Sequence, residues 1–381
     1  MKPRRTAILP AALAALSAAA QSVHYVRPSD TNPAITNYDN FHAAFIPTGA
    51  TSRTPLVLFL PGTGASPAQY EEFARRAASN GFHAIGLQYV NGDTVSTLCG
   101  GDSDTNCHAR IREEILFGTN ASPWVEVDPG NSVAGRLEAL LRYLTNQYPA
   151  EAWGAYVEED GRAAWSNLIV AGHSQGASHA AFLAKKEAVR RALLFGNEAD
   201  WVTGLGAAPW FSWPSPTPTN RYIALTHRQD ILLLQEATWT ALGVAGTQVL
   251  AEASTDPACE WTHRLVTEVA PATGSGWLAY HSAPIADLYT PRSNGVPVLL
   301  PVWTWMLNGP ASWPALNIQW SNSGPVVSFA AEREARYRLQ VAADLTAGWS
   351  NSAALVTNID GWVDWVPPGG APASFFRLGL E

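Results

Sequence analysis

The amino-acid sequence predicts an α/β fold, a mostly parallel sheet with helices on both faces, followed by a small all-β module. Three observations carry this expectation. Between residues 55 and 307, short apolar runs alternate with segments of helical period, the mark of parallel strands joined by crossover helices. One of those runs feeds directly into Gly172-His173-Ser174-Gln175-Gly176, and a helix of small residues leaves it. After Pro310 the period drops to two, as in Tyr337-Arg338-Leu339-Gln340-Val341, with Gly, Asn and Pro turns between the runs.

The elements follow in order. Residues 55–61 are apolar and rich in β-formers and run into Gly62-Thr63-Gly64, a buried strand entering a tight loop. A helix is expected from Ser66 or Pro67 to Ala78, with Tyr70, Phe73 and Ala77 on one face, then a strand from Phe82 to Tyr89. Residues 91–131 are polar and read as an irregular loop. Val133, Leu137, Leu140, Leu141 and Leu144 mark one face of a helix over 132–148, which Pro149 stops. Asn167–Ala171, Ala192–Phe195, Tyr222–Leu225 and Leu265–Val269 are expected strands, and Gln175–Lys186 and Trp303–Leu307 expected helices. Trp201–Thr219, with Trp210, Phe211, Trp213 and several prolines, reads as an ordered loop lining a pocket. In the β module, strands are expected at Val326–Phe329, Tyr337–Val341, Trp362–Val366 and Phe375–Leu378.

Composition bounds the function. The 381 residues suit one large domain and a small appendage, and 47% hydrophobic against 15% charged residues allows a sizeable core. The 16 Trp point to a greasy groove or β-rich packing. A net charge of −8 with no Lys/Arg cluster excludes nucleic acid and an anionic membrane surface as partners, since both need cations to displace counterions.

Lys2, Arg4 and Arg5 precede an apolar run from Ala7 to Ala20, and Ala18-Ala19-Ala20 meets the small-residue cleavage rule. Residues 1–20 are therefore expected to be a signal peptide, too short for a membrane span, which sends the chain to the periplasm or outside the cell. A catalytic domain over 21–310 and a sandwich-like module over 317–381 follow. In an oxidising compartment Cys99 and Cys107 are expected to pair across a short Gly/Asp/Asn loop, leaving Cys259 buried; three unpaired thiols are the alternative.

The chemistry centres on Gly172-His173-Ser174-Gln175-Gly176. A serine on a sharp strand-to-helix turn is pushed into the crevice at the strand's carboxyl end, and the helix N-terminus offers unpaired N–H groups to a developing oxyanion. With that strand–turn–helix context, residues 54–308 resemble an α/β-hydrolase of the esterase/lipase type. The resemblance implies a nucleophile, Ser174, followed in the chain by an acid and a histidine. Asp230, beyond the Tyr222–Leu225 strand, is the expected acid, with Asp200 as its rival and helix capping as its bland use. His281, after the last strand, is the expected base, with His263 as its rival; His173, His179 and His227 have no expected role. The backbone N–H groups of Thr63 and Gln175 are the expected oxyanion donors.

Trp201, Trp210 and Trp213 are expected to contact an apolar or aromatic part of the substrate, a small-molecule or polymeric ester. No cofactor or metal is required. Asp102, Asp104, Asn106 and Glu113 echo a calcium loop, but Cys107 replaces its glycine, and a solvated disulfide loop fits better. The module's Tyr337-Arg338-Leu339, Gly348-Trp349 and Phe375-Phe376-Arg377 loosely resemble small β appendages of secreted bacterial proteins, which implies contact with carbohydrate or a cell surface. Two alternatives stay open: an inactive hydrolase-like scaffold serving binding or adhesion, and a peptidase or amidase with the same three residues.

Overall fold

In the computed structural model, residues 22–47, 55–251 and 263–308 are described with their side chains, and six strands between 316 and 380 by their backbone. The expected leader at 1–20 and Cys259 lie outside the described residues.

The strands of the main unit are β1 (Ser22–Val26), β2 (His42–Ile46), β3 (Leu56–Leu60), β4 (His83–Gly86), β5 (Leu168–His173), β6 (Arg191–Phe195), β7 (Trp201–Val202), β8 (Gly206–Ala207), β9 (Tyr222–His227), β10 (Val249–Leu250), β11 (Arg264–Thr267), β12 (Arg292–Ser293) and β13 (Val296–Pro297). The helices are α1 (Pro28–Thr31), α2 (Glu71–Ser79), α3 (Val95–Leu98), α4 (Cys107–Phe117), α5 (Val133–Gln147), α6 (Gln175–Lys186), α7 (Leu232–Leu242), α8 (Trp277–Ser282) and α9 (Leu300–Asn308). A nine-stranded sheet runs in the order β1-β2-β4-β3-β5-β6-β9-β11-β10. From β4 to β10 neighbouring strands are parallel, whereas β2 pairs antiparallel with both β1 and β4.

The apolar runs have a simple cause. Every residue of β3, β5, β6 and β9 is buried, because helices cover both faces of the sheet. Leu56, Leu58, Leu60, Val170 and Leu194 face one core with Ile111 and Ile115 of α4, Leu137 and Leu140 of α5 and Phe182 of α6. Val57, Phe59, Ile169 and Leu193 face the other, with Phe73 and Ala77 of α2 and Trp303 and Met306 of α9. Alternation along each strand thus splits one hydrophobic run between two cores.

Several expectations need correction. The stretch 91–131 is not irregular, since it holds α3 and α4. The buried face of α4 includes Arg112 and Glu114, which broke the hydrophobic period. Arg112 donates from Nε to Asp200 Oδ2 (2.7 Å) and from Nη2 to Glu198 Oε2 (3.0 Å), while Glu114 accepts from the N–H groups of Ala121 and Val127. Cys99 and Cys107 are disulfide-bonded, tying the end of α3 to the start of α4 with a Cα separation of 5.8 Å. The β1–β2 edge pair was not anticipated, and 201–219 contains the β7–β8 hairpin rather than loop alone. Helix α9 starts three residues before Trp303.

Beyond residue 310 the described segments are β14 (Leu316–Ser321), β15 (Gly324–Ala330), β16 (Arg336–Ala342), β17 (Ser350–Thr357), β18 (Trp362–Trp365) and β19 (Phe375–Leu380). They form two antiparallel three-stranded sheets, β14-β15-β18 and β17-β16-β19. Among the described residues no helix is long and apolar enough to cross a membrane.

Burial pushes several histidines far below their usual value of 6.5: His42 and His173 to about 3, His83 and His263 to about 4. The unfolded chain therefore binds protons that the folded chain refuses, so their contribution is full above pH 6.5 and declines as pH falls toward 3–4. Urea unfolding at stepped pH should show stability dropping steadily below 6.5; a flat profile down to pH 4 would contradict this assignment.

Candidate active site

The site begins where β5 ends. Ser174 joins β5 to α6 with φ 56° and ψ −121°, a conformation L residues avoid and that costs about 1–3 kcal/mol. Its two flanking glycines make the turn possible. A Cβ on Gly172 would lie 2.3 Å from the Gly176 carbonyl oxygen, and one on Gly176 would lie 2.0 Å from that of Leu60. Hydrogen bonds then fix the turn: Ser174 N–H donates to Phe195 O (2.9 Å), and Ser174 O accepts from the N–H groups of Ala177, Ser178 and Glu198.

Asp230 follows β9. Its Oδ1 accepts from Ile231 N–H (2.8 Å) and Trp277 Nε1 (3.1 Å), and its Oδ2 accepts from Thr226 Oγ1 (3.0 Å), Gln235 Nε2 (2.8 Å) and His281 Nδ1 (2.8 Å). Burial by itself would raise this carboxyl. The hydrogen bond and charge of His281, with the Gln235 and Ile231 bonds, outweigh burial and hold it at about 2. Helix α7 has Ile231 at its N-cap and no side-chain cap, so Asp230 is not serving as one.

His281 lies on α8, a turn and a half of helix that the flanking Gly276 and Pro284 hid from the sequence pattern. It is buried, and while Nδ1 meets Asp230, Nε2 has no hydrogen-bond partner among the described residues. Gly196 lies against this pair with φ 51°, where a Cβ would come within 3.3 Å of Asp230 Oδ2 and 3.2 Å of His281 O.

The rivals have structural work. Asp200 is buried, ion-paired with Arg112, and accepts from Trp210 Nε1 (2.7 Å). His263 is buried at the start of β11, the end of the sheet away from Asp230.

His173, given no role from sequence, has one. Pushed down to about 3 by burial and by neighbouring His281, it is a neutral imidazole. Nε2 donates to His281 O (3.1 Å), Nδ1 accepts from Tyr70 OH (3.0 Å), and the Tyr70 oxygen accepts from Gly62 N–H (3.3 Å). One chain of bonds therefore links the loop after β3 to α8. Adjacency to Ser174 says nothing of a carbonyl 108 positions away, so no signal in the sequence pointed here.

The Gly62–Gly64 loop is anchored twice. Asn91 Nδ2 donates to Gly62 O and Ala65 O, and Thr63 Oγ1 donates to Gln175 Oε1 (2.7 Å). Gln175 is the first residue of α6, so its backbone N–H has no acceptor within the helix.

Ser174 and His281 line one cavity of about 620 Å³, together with Thr63, Trp277, Leu278, Asp287 and Leu288. Burial, reinforced by Glu72 and Glu71, pushes the Asp287 carboxyl up to about 7 despite the bond from Glu72 N–H. None of Trp201, Trp210 and Trp213 lines this cavity. Trp210 is core, stacked on Phe211 at 3.8 Å and edge-on to Phe182; Trp213 packs on Phe182; Trp201 sits exposed on the β7–β8 hairpin. The aromatic cluster serves packing over α6. Among the described tryptophans it is Trp277 that meets the cavity.

The calcium-like carboxylates are otherwise engaged. Asp102 and Asp104 accept from backbone N–H groups two residues on, and Glu113, on α4, pairs with Lys186 (2.9 Å). Among the described residues no cluster suited to a metal is present.

Substituting Gly176→Ala should force α6 away from β3. A loss of at least about 1–3 kcal/mol is expected in chemical denaturation, against an unstrained surface change such as Gly276→Ala. Equal stability of Gly176→Ala and wild type would contradict the close approach.

No protein-family model matches the chain and no curated protein matches it, so the grouping of Ser174, Asp230 and His281 stands on its own geometry.

Proposed function

We propose that the chain is a secreted serine hydrolase of the α/β-hydrolase fold that cleaves a carboxylic ester through an acyl-enzyme. One observation carries the reading: His281, held through Nδ1 by an ionised Asp230 and with Nε2 unbonded among the described residues, lines the same cavity as the strained Ser174. The chain order Ser174, Asp230, His281 and the strand–turn–helix around Ser174 support the fold assignment.

The chemistry follows from this arrangement. Asp230 accepts a hydrogen bond from the His281 Nδ1–H, which fixes the tautomer and leaves the Nε2 lone pair for the Ser174 hydroxyl. Ser174 Oγ attacks the ester carbonyl as Nε2 takes its proton, and Asp230 stabilises the resulting imidazolium. The carbonyl oxygen, now negative, is received by the backbone N–H groups of Gln175 and Thr63, each typically contributing about 3–4 kcal/mol. Collapse expels the alcohol, which takes the proton from Nε2. Water then repeats the sequence on the acyl-enzyme and releases the acid.

The leader-like residues 1–20 and the Cys99–Cys107 disulfide support export to an oxidising compartment.

A fluorophosphonate probe should label the wild-type protein, and Ser174→Ala should abolish the label. On p-nitrophenyl butyrate, Asp230→Asn should lower kcat about ten-thousand-fold, since an amide no longer fixes the tautomer. Folded wild type that takes no label and turns over none of a graded series of p-nitrophenyl esters would refute the reading.

A further inference from the structure

We infer that Trp277 sets the substrate preference of this site. Its outer indole face receives an uncharged, apolar acyl or alcohol group, while its inner face and N–H hold His281 and Asp230. The inference rests on the ester-hydrolase reading.

Trp277 and His281 stand four residues apart on α8 and so share a side of the helix. Their rings stack at 4.8 Å with an interplanar angle of 18°, and the indole N–H donates to Asp230 Oδ1 at 3.1 Å. One side chain thus touches both members of the acid–base pair. Its polar end is satisfied, yet 54% of the residue remains exposed, and it borders the cavity. Leu278 and Leu288, 54% and 70% exposed, border the same cavity. Large apolar side chains gathered at the mouth of a pocket mark a surface that a ligand covers.

Charge narrows the class. Among the described residues no Lys or Arg side chain lines the cavity, and the Asp287 carboxyl, pushed up to about 7, is negative above that pH. An anionic substrate group would therefore find no counter-ion and, above about pH 7, would face a like charge. An uncharged apolar group meets neither obstacle.

The double contact predicts more than affinity. A group stacked on the outer face excludes water from the indole–Asp230 bond just as the imidazolium forms beneath it. Binding energy from a remote part of the substrate then orders the reacting groups and raises kcat as well as lowering KM.

The test compares wild type, Trp277→Phe and Trp277→Ala on p-nitrophenyl acetate, p-nitrophenyl hexanoate and the mono-p-nitrophenyl ester of adipic acid. Wild type should favour hexanoate over acetate in both kcat and kcat/KM, and discriminate against the anionic adipate ester. Trp277→Ala should cut the hexanoate-to-acetate ratio at least about tenfold. Trp277→Phe should keep most of that ratio but lose several-fold in kcat on both neutral esters, having lost the N–H. If Trp277→Ala yields no folded protein by circular dichroism, Trp277→Leu replaces it, with the ratio expected to fall in the order Trp, Phe, Leu. Unchanged ratios in active variants, or wild type preferring the adipate ester, would overturn the inference and leave the hydrolase reading standing. Absence of turnover by wild type on every ester would overturn both.

Discussion

The close approach of α6 to the end of β3 is the constraint on which the rest of this molecule depends. With Gly176 against the Leu60 carbonyl and Gly172 against Gly176, no side chain fits between strand and helix, and the connecting residue must take a positive φ. The strain at Ser174 is local, about 1–3 kcal/mol, and is offset by backbone bonds to Ser174 on both sides. It persists because β5 sits mid-sheet, buried along its length, between β3 and β6. The sheet order then decides which loops can meet: β6 and β9 follow β5, so the segments carrying Gly196 and Asp230 emerge beside the turn.

A second layer holds the turn from beneath. Glu198 N–H donates to Ser174 O, and the Glu198 carboxylate accepts from Ser96 N–H and Oγ and from Arg112. Arg112 also binds Asp200 and the Gln175 carbonyl. Buried ion pairs of this kind add little net stability, because desolvation cancels much of the attraction. Their value is directional. The disulfide-linked α3–α4 segment is attached through them to Glu198, which bonds the Ser174 carbonyl, and to the carbonyl of Gln175, so a surface-seeming polar stretch becomes part of the foundation.

Much of this was legible in the residues themselves, and what was not has physical causes. Strands buried on both faces are unbroken apolar runs, so β3, β5, β6 and β9 were visible. Helix α4 was hidden because its inward face carries Arg112, Glu114 and His108, the first two satisfied by partners that only the folded chain supplies. Strand β17 was missed because it opens on Ser350-Asn351-Ser352. Tryptophan density misled: the dense segment 201–213 puts Trp210 in the core, whereas the isolated Trp277 reaches the cavity. Asp230 and His281 were singled out by the resemblance together with their place after strands, and the two side chains do meet. The link from His173 to the His281 carbonyl depends instead on distant segments meeting, which no local pattern encodes.

That link has a consequence for how the molecule could diversify. Because Gly62, Tyr70, His173 and His281 are strung on one set of hydrogen bonds, the groups that under the proposed function would receive the carbonyl and carry the proton form a single connected floor. A bulkier or longer substrate cannot be accommodated by loosening one end of it without misaligning the other. Adaptation is instead confined to the rim, where Leu278 and Leu288 make no such bonds and stand open to solvent, free to change shape while the chemistry below stays fixed.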